Sequence, residues 1–326
     1  MSPVLTRRRV VLAGAAALGL PFASLAQWAR RSYRIAFLTG APRRAAQYGA
    51  FFDELRAAGL LEGKNFEAIP GGFGVKDAEL AAAAATAVKS SPDAIVCAGP
   101  LATRAAQAAT RSISILAASD DMVGDGLVTS MARPGGNTTG VSLLAPELDG
   151  KRQELLMEAL PTARRLAALA DPNVSKPMHL QDLKAAAARR GVELSVYTAR
   201  RPEEIAPAMN AAKAAGAQGL NVLATPLFFF NGRSVIARAL ALRLPAMYQW
   251  PAMAEEGGLL GYGPRITGWY RQLAQLLVKV LQGARPGNLP IEQPTKFELV
   301  INLRTAAALG VTLPRSLIAF ADKVVE

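Results

Sequence analysis

One cysteine and one histidine among 326 residues set the first limits on this chain. A single cysteine forbids an internal disulfide, so stability must come from an ordinary hydrophobic core. Cys97, in the apolar run Asp93-Ala94-Ile95-Val96-Cys97-Ala98, reads as part of that core rather than as a nucleophile. One histidine with one cysteine cannot supply a zinc site of standard ligand spacing. A Ser-His-Asp arrangement would depend on His179, at a predicted helix start where a solvated or capping role is expected, and no G-x-S-x-G turn exists to hold the serine. Phosphate cradles are also missing. Neither G-x-G-x-x-G nor a Gly-Lys-Ser/Thr loop occurs at a strand-to-helix turn, and Gly71-Gly72-Phe73-Gly74 reads as a turn. Aromatic residues make up 6% of the chain and are not interleaved with basic ones, which argues against a nucleic-acid platform. The sequence therefore predicts no cofactor, no metal, no nucleic acid and no catalytic residue, and the chain is not read as an enzyme.

What is present begins with a leader. Thr6-Arg7-Arg8-Arg9-Val10-Val11 opens an uncharged run from Val10 to Ala26 that ends in Ser24-Leu25-Ala26, with small residues where a signal peptidase reads. Residues 1–26 are predicted to be a signal peptide cut before Gln27, and the consecutive arginines fit the twin-arginine type. The only cysteine lies far from that site, so no lipid anchor is expected. The predicted location is the periplasm. The leader removes three arginines and no acid from a net charge of +12, leaving +9 on the mature chain. These cations are scattered through Ala-rich helical segments (Arg56, Lys89, Arg104, Lys184, Lys213) and form no block, so they read as solvated helix faces.

After Ser32, short β-branched runs alternate with longer Ala-rich ones, the pattern of an α/β fold with parallel sheets. Strands are predicted at 34–38, 65–69, 94–98, 113–118 and 140–144, then at 166–170, 193–197, 219–224, 245–248 and 259–262. Helices are predicted at 44–58, 78–89, 148–160, 176–190, 202–215 and 233–242. These form two Rossmann-like lobes of about five βα units each. The C-terminal part differs. An amphipathic helix over 268–282, a Gly/Pro-rich stretch over 283–294, a strand at 297–302 and a helix near 305–309 suit extra crossings between lobes. In open α/β sheets ligands sit at the carboxyl ends of strands, which selects the loops 39–43, 99–103, 119–124, 171–176, 225–231 and 248–250. Asp120-Asp121, at one such end, can hold an amine or a metal or can cap the next helix. Phe228-Phe229-Phe230 can line the cleft or pack under the helix that follows, and core packing is favoured.

Arg133-Pro134-Gly135-Gly136-Asn137-Thr138-Thr139-Gly140-Val141 resembles the strand-entry signature of the ABC-transporter substrate-binding family related to the tryptophan-binding protein TrpX. Lys151 to Leu156, Leu244 to Tyr248, Gly257 to Pro264 and Leu289 to Asn302 agree in order and spacing, so the resemblance spans the mature chain. It implies a type I periplasmic binding protein: two lobes joined by three hinge crossings, with lobe one at 33–143 plus 263–287 and lobe two at 144–262 plus 288–326. Such a protein, suited to acting as a monomer, closes over a small solute (an amino acid, an aromatic or another carboxylate) and presents it to an ABC permease. Carried over by position, the pocket would use Thr39, Gly40, Gly99, Pro100, Ser119 and Asp120 from lobe one, and Asp171, Asn173, Thr225 and Tyr248 from lobe two. The chain departs from its relatives where Asp121-Met122 and Thr225-Pro226 replace Asp-Pro. The second change removes an acid and tilts the expected solute away from an amino acid, towards a neutral or carboxylate-bearing molecule. Two other functions fit the outline: a sensor that docks on a receptor kinase, and an exported two-lobed enzyme such as a glycosyl transferase.

Overall fold

The computed structural model describes residues 31–143 and 145–326, so the leader expected over 1–26 lies outside the described residues. Two sheets organise the chain. In the first, β1 (Tyr33–Leu38), β2 (Phe66–Ala68), β3 (Ala94–Ala98), β4 (Ser114–Ser119) and β5 (Thr138–Ser142) are parallel in the order β2-β1-β3-β4-β5. The second has the order β12-β11-β10-β9-β8-β6-β7. It is built from β6 (Arg165–Ala170), β7 (Glu193–Thr198), β8 (Gly219–Val222), β9 (Ala246–Tyr248), β10 (Leu260–Gly263), β11 (Glu298–Asn302) and β12 (Lys323–Val325). Central strands such as β3, Ala-Ile-Val-Cys-Ala, are apolar without alternation because helices cover both faces. Cys97 is fully buried there, as expected, and burial pushes its thiol up.

The helices are α1 (Ala46–Ala57), α2 (Leu80–Lys89), α3 (Pro100–Ala109), α4 (Ala145–Ala159), α5 (Pro177–Ala188), α6 (Pro202–Ala214), α7 (Pro226–Phe230), α8 (Gly232–Ala241), α9 (Pro251–Glu255), α10 (Ile266–Leu281), α11 (Leu303–Leu309) and α12 (Arg315–Phe320). Five of them start with proline, whose fixed φ suits the first turn and whose missing N–H is not needed there. One of these, α3, escapes the sequence reading although Gly99-Pro100 marks its start. The strand β12 is also absent from that reading; it is only three residues long.

Two features of connectivity position the site. Helix α10 leaves the second sheet after β10 and packs on the first, where Leu273, Ala274 and Leu277 are buried, the Tyr48 and Tyr270 rings meet edge-on at 5.2 Å, and Gln275 donates to Glu54 at 2.8 Å. The chain then runs beside β5, with Glu292 N donating to Gly140 O and Ser142 N to Glu292 O, before it returns to the second sheet. It re-enters next to where β10 ended, with Gly263 opposite Glu298, and so runs the other way. This is why β10–β11 is the antiparallel pair in an otherwise parallel sheet.

Candidate functional site

The carboxyl ends of β1, β3 and β4 face those of β6, β8 and β9, each a set of neighbours in its sheet. Between them lies a small cavity of about 50 Å3 that opens to solvent. Gly99, Ser119 and Asp120 line it from the first sheet, and Thr225, Pro226 and Gln249 from the second. Its walls are aromatic. Trp250 and Trp269 stack at 6.0 Å and 18°, Trp269 meets Tyr270 at 4.7 Å, and Phe229 stands edge-on to Trp250 at 6.0 Å with Phe230 beside it. Trp250 follows β9, Phe229 and Phe230 belong to α7, and Trp269 and Tyr270 come from the first turns of α10. Three buried polar atoms at this cavity, Ser119 Oγ, Trp250 Nε1 and Trp269 Nε1, have no hydrogen-bond partner.

The second-sheet rim is held rigidly. Thr225 Oγ1 accepts from Phe228 N at 3.2 Å and caps α7. Gln249 grips the same residue, its Oε1 accepting from Thr225 N at 2.8 Å and its Nε2 donating to Thr225 O at 3.1 Å. Beneath them Arg152, 1% exposed, donates to Gln249 O at 3.0 Å, Tyr262 O at 2.7 Å and Asp149 Oδ1 at 2.7 Å. Asp149 also accepts from Ala224 N at 3.2 Å and lies 3.2 Å from His179 Nε2. His179 is thus paired in a half-buried position and is not the solvated or capping residue that the sequence suggests, because α5 turns its first turn towards Asp149. The Coulomb gain of a buried ion pair of this kind is largely offset by desolvation, so it adds little net stability.

Asp120, 8% exposed, has its carboxyl pushed up to about 7, first by burial and then by Asp149, with Arg152 opposing. It also borders a second cleft shared with Asp121, Asp125, Asp149, Lys176 and His179. Lys176, after β6, reaches across to the first sheet's loop. Its ammonium lies 3.7 Å from Asp121, 3.5 Å from Asp125 and on Gly124 O. Asp121 closes its own turn by accepting from Gly124 N at 2.7 Å, so no helix is capped here. Among the described residues no group of three or more acids, histidines and cysteines is placed to hold a metal.

The ten residues carried over by position therefore divide. Gly99, Ser119, Asp120 and Thr225 meet at the main cavity. Gly40, Pro100 and Asp171, with Gly99 again, line an adjoining cleft against Phe230. There a Cβ on Gly40 would lie 3.0 Å from Phe230 Cε2, and one on Gly99 3.3 Å from Pro226 Cγ. Thr39 is fully buried beneath its loop, where Oγ1 accepts from Ala41 N at 3.1 Å. Asn173 is exposed, and only its backbone N–H is engaged, by Asp171 Oδ1 at 2.9 Å. Tyr248 stands in the core against Gly258, not on the wall of either cleft, and burial raises its hydroxyl. The Phe run is split as well. Phe228 is buried, but Phe229 and Phe230 face the cavity, because α7 is a single turn set across its mouth. Sequence reasoning missed Gln47, Trp269 and Tyr270, and it selected the loop 248–250 but named Tyr248 there instead of Gln249 and Trp250.

Two parallel-dominated α/β sheets with a cavity between facing strand ends define the periplasmic-binding-protein class of fold. Residues 34–325 match the family described as ABC transporter substrate binding protein, and the chain belongs to that family. It is a family of solute-binding proteins, not of enzymes. Among solved structures, the fold is similar to an ABC domain in complex with L-Trp from Streptococcus pneumoniae, at 22% identity, a TM-score of 0.81, and coverage of 90% of this chain and 100% of that one. A conserved domain protein from Vibrio cholerae O1 biovar El Tor is 26% identical, with a TM-score of 0.81 and coverage of 90% and 99%. A ligand-free, open substrate-binding protein with adhesive properties from Clostridium difficile is 20% identical, with a TM-score of 0.63 and coverage of 90% and 99%. No curated protein sequence matches the chain. Substrate-binding proteins of ABC importers work outside the cytoplasmic membrane. No helix among the described residues is long and apolar enough to cross a membrane.

Proposed function

We propose that this protein is the periplasmic solute-binding component of an ABC importer. It captures a small organic solute (an amino acid, an aromatic or another carboxylate) between two lobes by hinge closure, without chemistry, and delivers it as a monomer to the permease. Residues 1–26 would direct export and be cut off before Gln27. The lobes would comprise residues 33–143 with 263–287, and 144–262 with 288–326, joined by three crossings. The observation that carries the reading is the cavity whose lining comes from both sheets and whose buried Ser119 Oγ, Trp250 Nε1 and Trp269 Nε1 lack partners. A molecule touching both lobes stabilises their closed arrangement by its differential affinity for it.

A thermal-shift screen of the purified protein against amino acids, aromatic carboxylates, purines, sugars and short peptides tests this. A micromolar binder at about a hundredfold excess over its Kd stabilises by about 2.7 kcal/mol, a shift of several degrees for a protein of this size. The ligand should be recovered unmodified after incubation. Turnover of the ligand would overturn the reading, as would the absence of a shift with every class.

A further inference from the structure

Cations that stand far apart in the sequence meet at one end of the second sheet. The strands β9, β8, β6 and β7 are neighbours and parallel. The segments that enter them therefore lie side by side across roughly 15 Å, three steps of the usual strand spacing. Arg243 precedes β9, Lys213 stands in the last turn of α6 before β8, Arg164 and Arg165 open β6, and Arg189 and Arg190 precede β7. All six are exposed. Hydrogen bonds tie these segments together: Gln218 Oε1 accepts from Arg164 N at 2.6 Å and from Arg165 N at 3.0 Å, and Lys213 Nζ donates to Arg243 O at 3.2 Å. Arg238, in the last turn of α8, adds a seventh charge and donates to Asn210 Oδ1 of α6 at 2.8 Å.

Charge of the other sign is scarce there. Glu158 and Glu193 are the acids of these segments and of the helix turns that lead into them. Among the described residues none of the seven cations forms an ion pair. The matching end of the first sheet is mixed: Arg31 pairs with Asp93 at 2.6 Å and Arg34 with Glu67 at 3.5 Å. The clefts lean the other way. Asp120, Asp121, Asp125 and Asp149 outnumber Lys176 around one, and Asp77 and Asp171 outnumber Arg200 in the other. An anionic surface therefore meets attraction at the entry end of the second sheet and repulsion at the clefts.

The patch is a row with one or two charges per strand. No Phe, Tyr or Trp occurs in residues 160–165, 189–193, 213–219 or 242–245, so it offers nothing on which bases could stack. What it matches is a flat layer of negative headgroups. Cys97, the one cysteine, is buried in β3 and so takes no lipid; a reversible hold by charge would keep the chain close to a bilayer without one. We infer that this end of the second sheet docks on the anionic phospholipid surface of a membrane through Arg164, Arg165, Arg189, Arg190, Lys213 and Arg243. The cavity lies at the opposite ends of the same strands, so docking leaves it open to solutes. Each cation within reach of the headgroups should raise the partition coefficient about fivefold.

Co-sedimentation of the chain from Gln27 onward with vesicles of phosphatidylcholine that contain phosphatidylglycerol tests this. The expected result is binding to these vesicles in about 0.05 M salt, release at about 0.5 M as the Debye length shortens, and no binding to phosphatidylcholine alone. Arg189→Ala with Arg190→Ala should lower the partition coefficient about 25-fold. Arg189→Lys with Arg190→Lys should keep it, and both pairs should melt like the parent because the two residues are exposed. Arg44 and Arg233 are exposed at helix starts on the cleft side. Replacing both with Ala removes the same charge and should change the coefficient less than about threefold. An equal loss in that pair would show that overall charge binds and not this patch, and would overturn the inference. Equal binding to neutral vesicles, or none to the anionic ones, would overturn it as well. If a short DNA duplex at equal phosphate concentration binds more tightly than the vesicles, and the Arg189 and Arg190 pair of alanines abolishes that binding, the patch is a nucleic-acid surface and the inference fails. No solute enters the assay, so its outcome is independent of the solute-binding reading.

Discussion

Asp120 links the cavity to proton concentration. Its carboxyl, pushed up to about 7, is surrounded by Asp121 and Asp125 of its own loop and by Asp149, Arg152, His179 and Lys176 from the facing lobe. In the hinge closure proposed above, an open cleft would leave Asp120 better solvated and nearer the usual carboxylate range, so closing would take up a proton between that range and about 7. Affinity is then full at the acid end of this window, falls as pH rises through it, and levels off above it. Each pKa unit that closure adds is worth about tenfold in binding. For a ligand that does not itself titrate there, calorimetry should show about thirtyfold weaker binding at pH 8 than at pH 5.5, and Asp120→Asn should flatten the profile. A flat profile in the parent protein would remove Asp120 from closure. At this same scale the sequence was legible by loop but not by side chain. Strand-end reasoning selects 248–250, yet Tyr248 ends β9 with its ring in the core, and Gln249 and Trp250 are the residues that meet the cavity. Which residue of a three-residue loop turns outward is decided by tertiary packing, and no local pattern encodes it.

Helix α7 and the two glycines opposite it show how an element shapes a site. Proline at its first position and the Thr225 cap hold one turn, Pro226–Phe230, across the cleft, close enough that Gly40 has no room for a Cβ without displacing the Phe230 ring. Gly99 carries a second constraint, its φ of +87°, whereas Gly40 does not lie in the left-handed region, so alanine at 40 tests the close approach alone. Gly40→Ala should weaken ligand binding roughly fivefold, about 1 kcal/mol of crowding in the closed arrangement. Its effect on the melting temperature of the unliganded protein should be small, and an unchanged affinity in calorimetry would show that α7 does not approach this loop when ligand binds. Long periodic elements were read correctly from sequence, as α10 shows: expected over 268–282 and found at Ile266–Leu281. Its destination was not readable. The helix is amphipathic wherever it packs, so the delivery of Trp269 and Tyr270 to the cavity follows only from its return to the first sheet.

Across the whole molecule, the two lobes are bridged over the cleft mouth by Lys176. With the Lys176 side chain 47% exposed, its pairs with Asp121 and Asp125 are worth at most about 1 kcal/mol after screening. Lys176→Ala should therefore reduce affinity by about two- to fivefold in dilute buffer and by less at 0.5 M salt, where the Debye length is only a few ångströms. Equal losses at both salt concentrations would mean that Lys176 acts by packing and not by charge. The two series of βα units were visible in the sequence because period and composition report each unit locally. The antiparallel return of β11 was not, because it depends on a crossing that ends far from where it began.

That return also governs the order in which the molecule can be completed. The first sheet has all five strands once residue 142 is made, but its covering helix α10 spans Ile266–Leu281, and the second sheet gains β11 and β12 only from the last thirty residues. During synthesis both lobes exist as half-covered sheets with apolar faces open to other chains, the circumstance in which nascent proteins aggregate or require a chaperone. The first lobe is covered only once residues 266–281 are made and the second sheet is complete only once residues 323–325 are made, so a twin-arginine translocase, if it carries this passenger, must receive it after those segments have been synthesised and folded.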